Sequence, residues 1–309
     1  MRHIELVDKE NHQPMKPNHW RFGALLAVVA LVLAACGSSG SSSAKSSSKA
    51  PTFAAGSTMD AIQKKGKLIV GTKFDQPLFG LKSATSGKVE GFDVDIAREM
   101  AKGIFGDASD IDSKIQLVET VSKNREAFIQ NGTVDIVVAT YTVNDTRKQV
   151  VDFAGPYFLA HEDIMVKKDD STIKSVTDLN GKKVCSAQGS TSIKNLMAKA
   201  PQADTSITFD TYSQCADAMG DGRVQAVVTD NAILGGLVKN SDGKYKVLNA
   251  PFSDEPYGIG LKKGDTALRG FLNDTLDKIE KDGTWKKLFT STVASGGVET
   301  PTPPAPIRY

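Results

Sequence analysis

The sequence predicts an α/β protein. Short apolar runs alternate with stretches of helical periodicity from about residue 67 onward, one run is apolar almost throughout, and the alternation occurs in two series, each about a hundred residues and so of domain size. In the first series, residues 67–71 (KLIVG) read as a strand, and residues 92–102 place Val94, Ala97 and Ala101 on one helical face. Residues 115–118 (IQLV) predict a second strand and 124–131 a helix stopped by Gly132. The run at 134–139 (VDIVVA) has the apolar continuity of a parallel strand covered on both faces.

The second series opens near Ile164. It predicts strands at 183–185, 207–209 and 226–229, separated by helices at 190–200, 212–220 and 231–239. A strand at 257–261 and a long helix at 267–281, stopped by Gly283, complete the alternation. Residues after Gly296, ending ETPTPPAPIRY, have the composition of a disordered tail.

A chain of 309 residues, 40% hydrophobic and 24% charged, is long enough for two packed lobes. Its 38 basic and 36 acidic residues leave a formal charge of +2, so no net field attracts nucleic acid and any charge selectivity must be local. Phosphate-cradling glycine loops, zinc-ligand spacings and Ser/His/Asp signatures are absent from the sequence. Neither a cofactor nor a metal is expected.

Residues 22–35 (FGALLAVVALVLAA) form an uncharged run preceded by Lys16 and Arg21. That is signal-peptide length, short of the roughly 20 residues a spanning helix needs. The run ends in Leu33-Ala34-Ala35-Cys36, which resembles a bacterial lipobox. In such signals the residues before the cysteine are removed and its thiol receives a diacylglyceryl group. Residues 1–35 are therefore expected to be a signal peptide. Residues 36–57 read as a Ser/Gly-rich tether holding the protein on the extracytoplasmic face of the cell membrane through lipidated Cys36. Thiols oxidise in that compartment. Cys185 and Cys215 are expected to form a disulfide, the alternative being two buried free thiols.

Five motifs carry a more specific signal: GFDVDIA at 91–97, ATYTVNDTR at 139–147, VDFAGPY at 151–157, QGST at 188–191 and DGTW at 282–285. In this order they resemble the polar amino-acid branch of bacterial extracellular solute-binding proteins, most closely the glutamate-binding lipoproteins of actinobacterial ABC transporters. The likeness spans about residues 59–289. It implies a two-lobed periplasmic-binding-protein fold of type II, a Venus flytrap closing about a hinge. Lobe one would comprise residues 58–162 and 256–295, lobe two 163–255, and the disordered tail 296–309. The chain would cross between lobes near 161–163 and 252–256.

The resemblance also assigns residues. A buried α-carboxylate must be matched by fixed donors, and arginine offers a planar fork. Arg147 occupies the family's carboxylate-gripping position, with Thr140, Tyr141 and Thr142 beside it; the bland alternative is a surface charge on a helix at 144–149. Asp230 matches the carboxylate that receives the α-ammonium. Gly189, Ser190 and Thr191 open a helix whose N–H groups and hydroxyls face the ligand, unless they serve only as an N-cap. Family members that take acidic amino acids have a cation after the first strand and an arginine in a Ser-x-Asn-Arg turn. Here these are Lys73 and Ser122-Lys-Asn-Arg125.

Two cations beside Arg147 repel one another unless the ligand brings a second carboxylate. L-glutamate or L-aspartate meets that need, whereas a solvated Lys73 and a surface Arg125 would not select it. In the first loop, Phe74-Asp-Gln-Pro-Leu-Phe-Gly80, the chain departs from many relatives; Phe74 or Phe79 would lie against the ligand's carbon chain and Tyr212 would reach the side-chain carboxylate, whereas an Asp75 facing the cleft would pair with Lys73 and cancel part of the selectivity. The implied partner is an ABC permease and the implied state a monomer. A ligand-sensing receptor feeding a membrane signalling protein is one rival. A cyclohexadienyl dehydratase-like enzyme is another, although the histidines at 3, 12, 19 and 161 supply no obvious cleft acid.

Overall fold

The structure, a computed structural model, describes residues 49–107 and 109–309. The expected signal peptide, Cys36 and the tether up to residue 48 lie outside the described residues. Among the described residues no helix is long and apolar enough to cross a membrane.

The first series begins with a helix the periodicity did not announce, α1 (Thr58–Lys65), capped by Ser57, whose Oγ accepts from the Asp60 N–H. Strand β1 (Leu68–Thr72) follows, then a small antiparallel sheet of β2 (Asp75–Gln76), β3 (Gly80–Lys82) and β4 (Val89–Glu90). Next come α2 (Phe92–Phe105), β5 (Ile115–Glu119), α3 (Arg125–Gln130), β6 (Ile136–Val137) and α4 (Asp145–Lys148). Strand β7 (Val151–Lys167) is 17 residues long. The second series comprises β8 (Val184–Cys185), α5 (Ser192–Lys199), α6 (Tyr212–Gly220), β9 (Ala226–Asp230), α7 (Asn231–Lys239) and β10 (Tyr245–Val247). Strand β11 (Ser253–Lys262) and helices α8 (Thr266–Lys281) and α9 (Thr284–Ser291) follow.

One mixed eight-stranded sheet runs in the order β5-β1-β6-β11-β7-β9-β8, with β10 added against β7. β1 pairs in parallel with β5 and β6, whereas β7 and β11 run antiparallel to each other. The early part of β7 pairs with β11; from Glu162 onward it pairs with β9. Glu162 faces Ser253 and His161 faces Asp254, so the two expected crossing segments lie side by side as one ladder.

Around α2 the core is aromatic. Phe92 meets Trp285 and Phe289 edge-on, and the buried Trp285 donates its indole N–H to the Tyr157 carbonyl at 2.8 Å. The DGTW motif is thus a packing device. Asp152 of VDFAGPY is structural too, accepting from Lys263 at 2.9 Å and from the Gly264 N–H. A second core of Ile164, Val166, Val184, Leu196, Ala226 and Val228 lies under α5. Each of its isoleucine, valine and leucine side chains contributes about 1.5–3 kcal/mol on burial. Cys185 and Cys215 are joined, tying β8 to α6.

Three expectations change. Residues 207–209 form no strand: Phe209 makes only an isolated bridge to Ala187. The apolar run at 134–139 yields strand only at Ile136–Val137, because the chain leaves the sheet toward Thr140. Residues 298–309 form no helix or strand, yet they are held in place: the Ile307 N–H donates to the Gly155 carbonyl, the Tyr309 hydroxyl accepts from the Phe153 N–H, and Arg308 pairs with Asp274 and Asp277.

Candidate functional site

Just past β1, Lys73 is buried at 1% exposure and donates to Ser122 Oγ at 2.8 Å. Burial, with the Arg125 cation next in effect, brings its pKa down to about 7. Arg125 is buried as well, at 2% exposure, and its partners are backbone carbonyls: Ser122 at 3.2 Å, Ala139 at 3.1 Å, Thr140 at 3.3 Å and Gly189 at 3.4 Å. Among the described residues no carboxylate stands within 4.0 Å of either cation. The solvated alternatives for Lys73 and Arg125 are thereby excluded.

Arg147 completes the basic wall. The Asn144 side chain caps its short helix by accepting from the Arg147 N–H, and the guanidinium donates to the Thr142 carbonyl at 2.7 Å and to the Gly189 carbonyl at 3.2 Å. Its Nε lies 3.2 Å from a Glu126 carboxylate oxygen. Burial, then Arg125, lowers its pKa to about 10. The Tyr141 ring lies 4.3 Å from the Arg125 guanidinium carbon and 4.8 Å from that of Arg147. One ring thus contacts both cations.

The loop carrying these contacts is strained. Thr140, a β-branched residue, has φ of 43°, which costs free energy and persists only where its surroundings enforce it. Asp93 of GFDVDIA does so: its Oδ2 accepts from the Thr140 N–H at 2.8 Å, and its Oδ1 from the Tyr157 hydroxyl at 2.7 Å. Burial raises the Asp93 pKa to about 7, offset in part by those two bonds.

Close to these basic residues is an acidic cluster, reached through Thr142, whose hydroxyl donates to Glu255. Glu162, Asp230 and Glu255 are all buried, with carboxylate oxygens within 4.8 Å of one another. Glu162 and Asp230 are direct cross-strand partners, a like-charge pairing that destabilises a sheet without a cation between them. Burial first, and the other two acids next, push the Asp230 pKa well up; Glu162 rises to about 7 by burial and the Glu255 charge. Tyr257 donates its hydroxyl to Asp230. Glu255 is saturated by hydroxyls and an amide: Thr142 at 2.7 Å, Thr191 at 2.8 Å, Ser253 at 3.0 Å and Asn195 at 2.8 Å. The three acids are close enough together that they could hold a cation, whether an ammonium or a metal ion.

Gly189 joins the two series. Its φ is +76°, and a Cβ there would meet Lys123 Cα at 2.5 Å, so glycine is required for both torsion and closeness. Thr191 spends its hydroxyl on Glu255 and makes no cap bond, while α5 starts one residue later, at Ser192. The Ser190 N–H is bonded to the Ala187 carbonyl and is not a free donor. Tyr212 is buried at 4% exposure, and its backbone N–H donates to Asp75 Oδ2 at 3.0 Å. Asp75 therefore holds the start of α6 and forms no ion pair with Lys73. Of the first-loop aromatics, Phe79 is packed among Phe92, Phe158 and Tyr257, and the Phe74 ring lies under Lys82.

Glu162, Glu255, Asp93 and Gln76 escaped sequence reasoning. The one signal for Glu255 was its place in the crossing segment at 252–256.

The profile of the "Bacterial extracellular solute-binding proteins, family 3" matches residues 68–292. The "ABC transporter glutamine-binding protein GlnH" of Bacillus subtilis is 42% identical over 279 residues, covering 89% of this chain and 97% of that protein. The "Glutamate-binding protein GluB" of Corynebacterium glutamicum is 36% identical over 287 residues, covering 90% and 92%. A solved structure described as "An ancestral arginine-binding protein bound to glutamine" superposes with a TM-score of 0.67 at 38% identity, covering 74% of this chain and 97% of that one.

Proposed function

The chain belongs to the bacterial extracellular solute-binding proteins of family 3, two-lobed α/β proteins of transport and not enzymes, and from this premise we propose that it captures L-glutamate, or L-aspartate, for an ABC importer. The observation that carries this reading is the pair of buried cations beside Arg147, Lys73 and Arg125, neither of which has a carboxylate within 4.0 Å among the described residues. The α-carboxylate would take Arg147 and the Thr142 region, the α-ammonium would take the acidic seat at Asp230, and the side-chain carboxylate would neutralise the remaining positive charge. Bound to the basic wall, such a ligand presents charges that only the closed clamp completes, so binding favours closure. The protein would be anchored outside the cytoplasm by lipid on Cys36; Cys36→Ala should move it from the membrane fraction to the medium, and continued sedimentation with membranes would refute the anchor.

Glutamine is the second reading, favoured by glutamine-binding relatives at 42% and 43% identity. Titration calorimetry with both ligands and with L-arginine separates the possibilities. Tightest binding of L-arginine would overturn the acidic reading. Lys73→Met should weaken glutamate about 10- to 100-fold, the loss of one charge-assisted hydrogen bond, while affecting glutamine less. An unchanged ratio would remove Lys73 from the side-chain subsite. pH gives a further readout. A ligand carboxylate raises the Lys73 pKa from about 7, so the complex takes up protons and glutamate affinity should fall as pH rises above that value. A flat profile between pH 6 and roughly pH 9 would show that Lys73 does not meet the ligand's charge.

A further inference from the structure

Gln76 is fully buried on β2, and the structure leaves its amide half used. Its Oε1 lies 3.0 Å from Thr140 Oγ1, and its Nε2 has no partner among the described residues. Thr140 Oγ1 has one proton and two acceptors in reach, Gln76 Oε1 and the Ala139 carbonyl, the latter at 2.8 Å. The Ala139 carbonyl also accepts from Arg125 Nη1 at 3.1 Å, so it stays satisfied whichever way the hydroxyl turns.

Two arrangements follow. With the Thr140 proton on Gln76 Oε1, the amide turns its two N–H donors outward. With the proton on the Ala139 carbonyl, Thr140 Oγ1 becomes an acceptor, Gln76 reverses to donate to it, and Oε1 faces outward instead. Oxygen and nitrogen of a side-chain amide exchange places by this half-turn. Thr140 belongs to the ligand loop, its own carbonyl is held by Arg125, and β2 packs against α6 and α7 of the second series. The buried amide therefore belongs to an element that both series touch, beside the loop that carries Thr140.

We propose that Gln76 reads the far end of the ligand's side chain and, by turning over together with the Thr140 hydroxyl, offers donors to a carboxylate or an acceptor to a carboxamide. This rests on the reading above, in which the ligand is glutamate or its amide. The consequence is a clamp of dual specificity. Strong rejection of one of two isosteres needs a fixed group left unpaired by the wrong one, and a reversible amide is not such a group.

Calorimetry on the full chain with L-glutamate and L-glutamine tests this. Gln76→Met, of similar volume and without polar ends, should weaken both ligands about tenfold, the factor that about 1.4 kcal/mol represents. Gln76→Glu, a fixed acceptor bearing negative charge, should weaken glutamate at least about thirtyfold, roughly 2 kcal/mol, and leave glutamine within about threefold. In Gln76→Met, affinities within twofold of wild type would overturn the proposal, and so would a loss confined to one ligand. A second measurement needs no variant. The side-chain amide resonances of Gln76 in the wild-type protein should differ between the two complexes, and coincident resonances would sink the turnover. If the wild type binds neither ligand, the glutamate reading itself falls; if it binds them and Gln76 is indifferent, only this inference does.

Discussion

Arg147→Ala should weaken every α-amino acid ligand by about 2–5 kcal/mol, roughly 30- to 5,000-fold, because in the proposed pose it would leave the ligand's α-carboxylate unpaired. Arg147 is 7% exposed, and its guanidinium is held by the Thr142 and Gly189 carbonyls, the Glu126 carboxylate and the Tyr141 ring. Its direction is thus fixed before any ligand arrives. The variant also strands Glu126, but that side chain is 28% exposed and solvent can serve it, so the loss should fall on binding more than on folding. Calorimetry with L-glutamate and L-glutamine checks the assignment. Both should lose alike, since both present the same α-carboxylate. A loss confined to glutamate would place Arg147 at the side-chain carboxylate. Arg147→Lys should recover only part of the affinity, restoring charge without the planar fork.

Replacing both Cys185 and Cys215 by alanine should lower stability by about 3–4 kcal/mol, the chain entropy released by opening a loop of 30 residues. For a chain of this size that corresponds to a melting point lower by roughly 5–15 °C. The bridge links β8, which leads into the QGST loop, to α6, which begins at Tyr212. Both cysteines are buried in the core, so the variant should keep its ligand affinity at low temperature and lose it early on heating. Superimposable melting curves for the oxidised and reduced wild-type protein would show that the cross-link contributes nothing.

Much of this was legible in the sequence. Arg147, Lys73, Arg125 and Asp230 were each marked by a motif or a strand end, and the structure buries all four. What stayed hidden depends on pairing between distant segments. Glu162 and Glu255 reach Asp230 only because β7 and β11 cross side by side, and neither lies in a local pattern that marks a charge for burial. Gln76 sits on a strand of two residues, too short to show any period. The length of β7 was masked by Gly155-Pro156, a pair that ordinarily punctuates a strand, and here the ladder with β11 continues past it. Residues 134–139 misled for the opposite reason. Their apolar continuity is real burial, but the turn at Thr140, enforced by Asp93, ends the strand early.

The placement of Tyr309 bears on how this protein should be handled at the bench. The Tyr309 ring stacks over Arg269 and lies 5.2 Å from the Lys148 ammonium, one position beyond Arg147, while its hydroxyl meets the start of β7. A purification handle fused behind it would pry at that wedge. Affinities measured on such a fusion would report partly on the handle, and a matched pair of tagged and cleaved samples would reveal how far the disturbance travels.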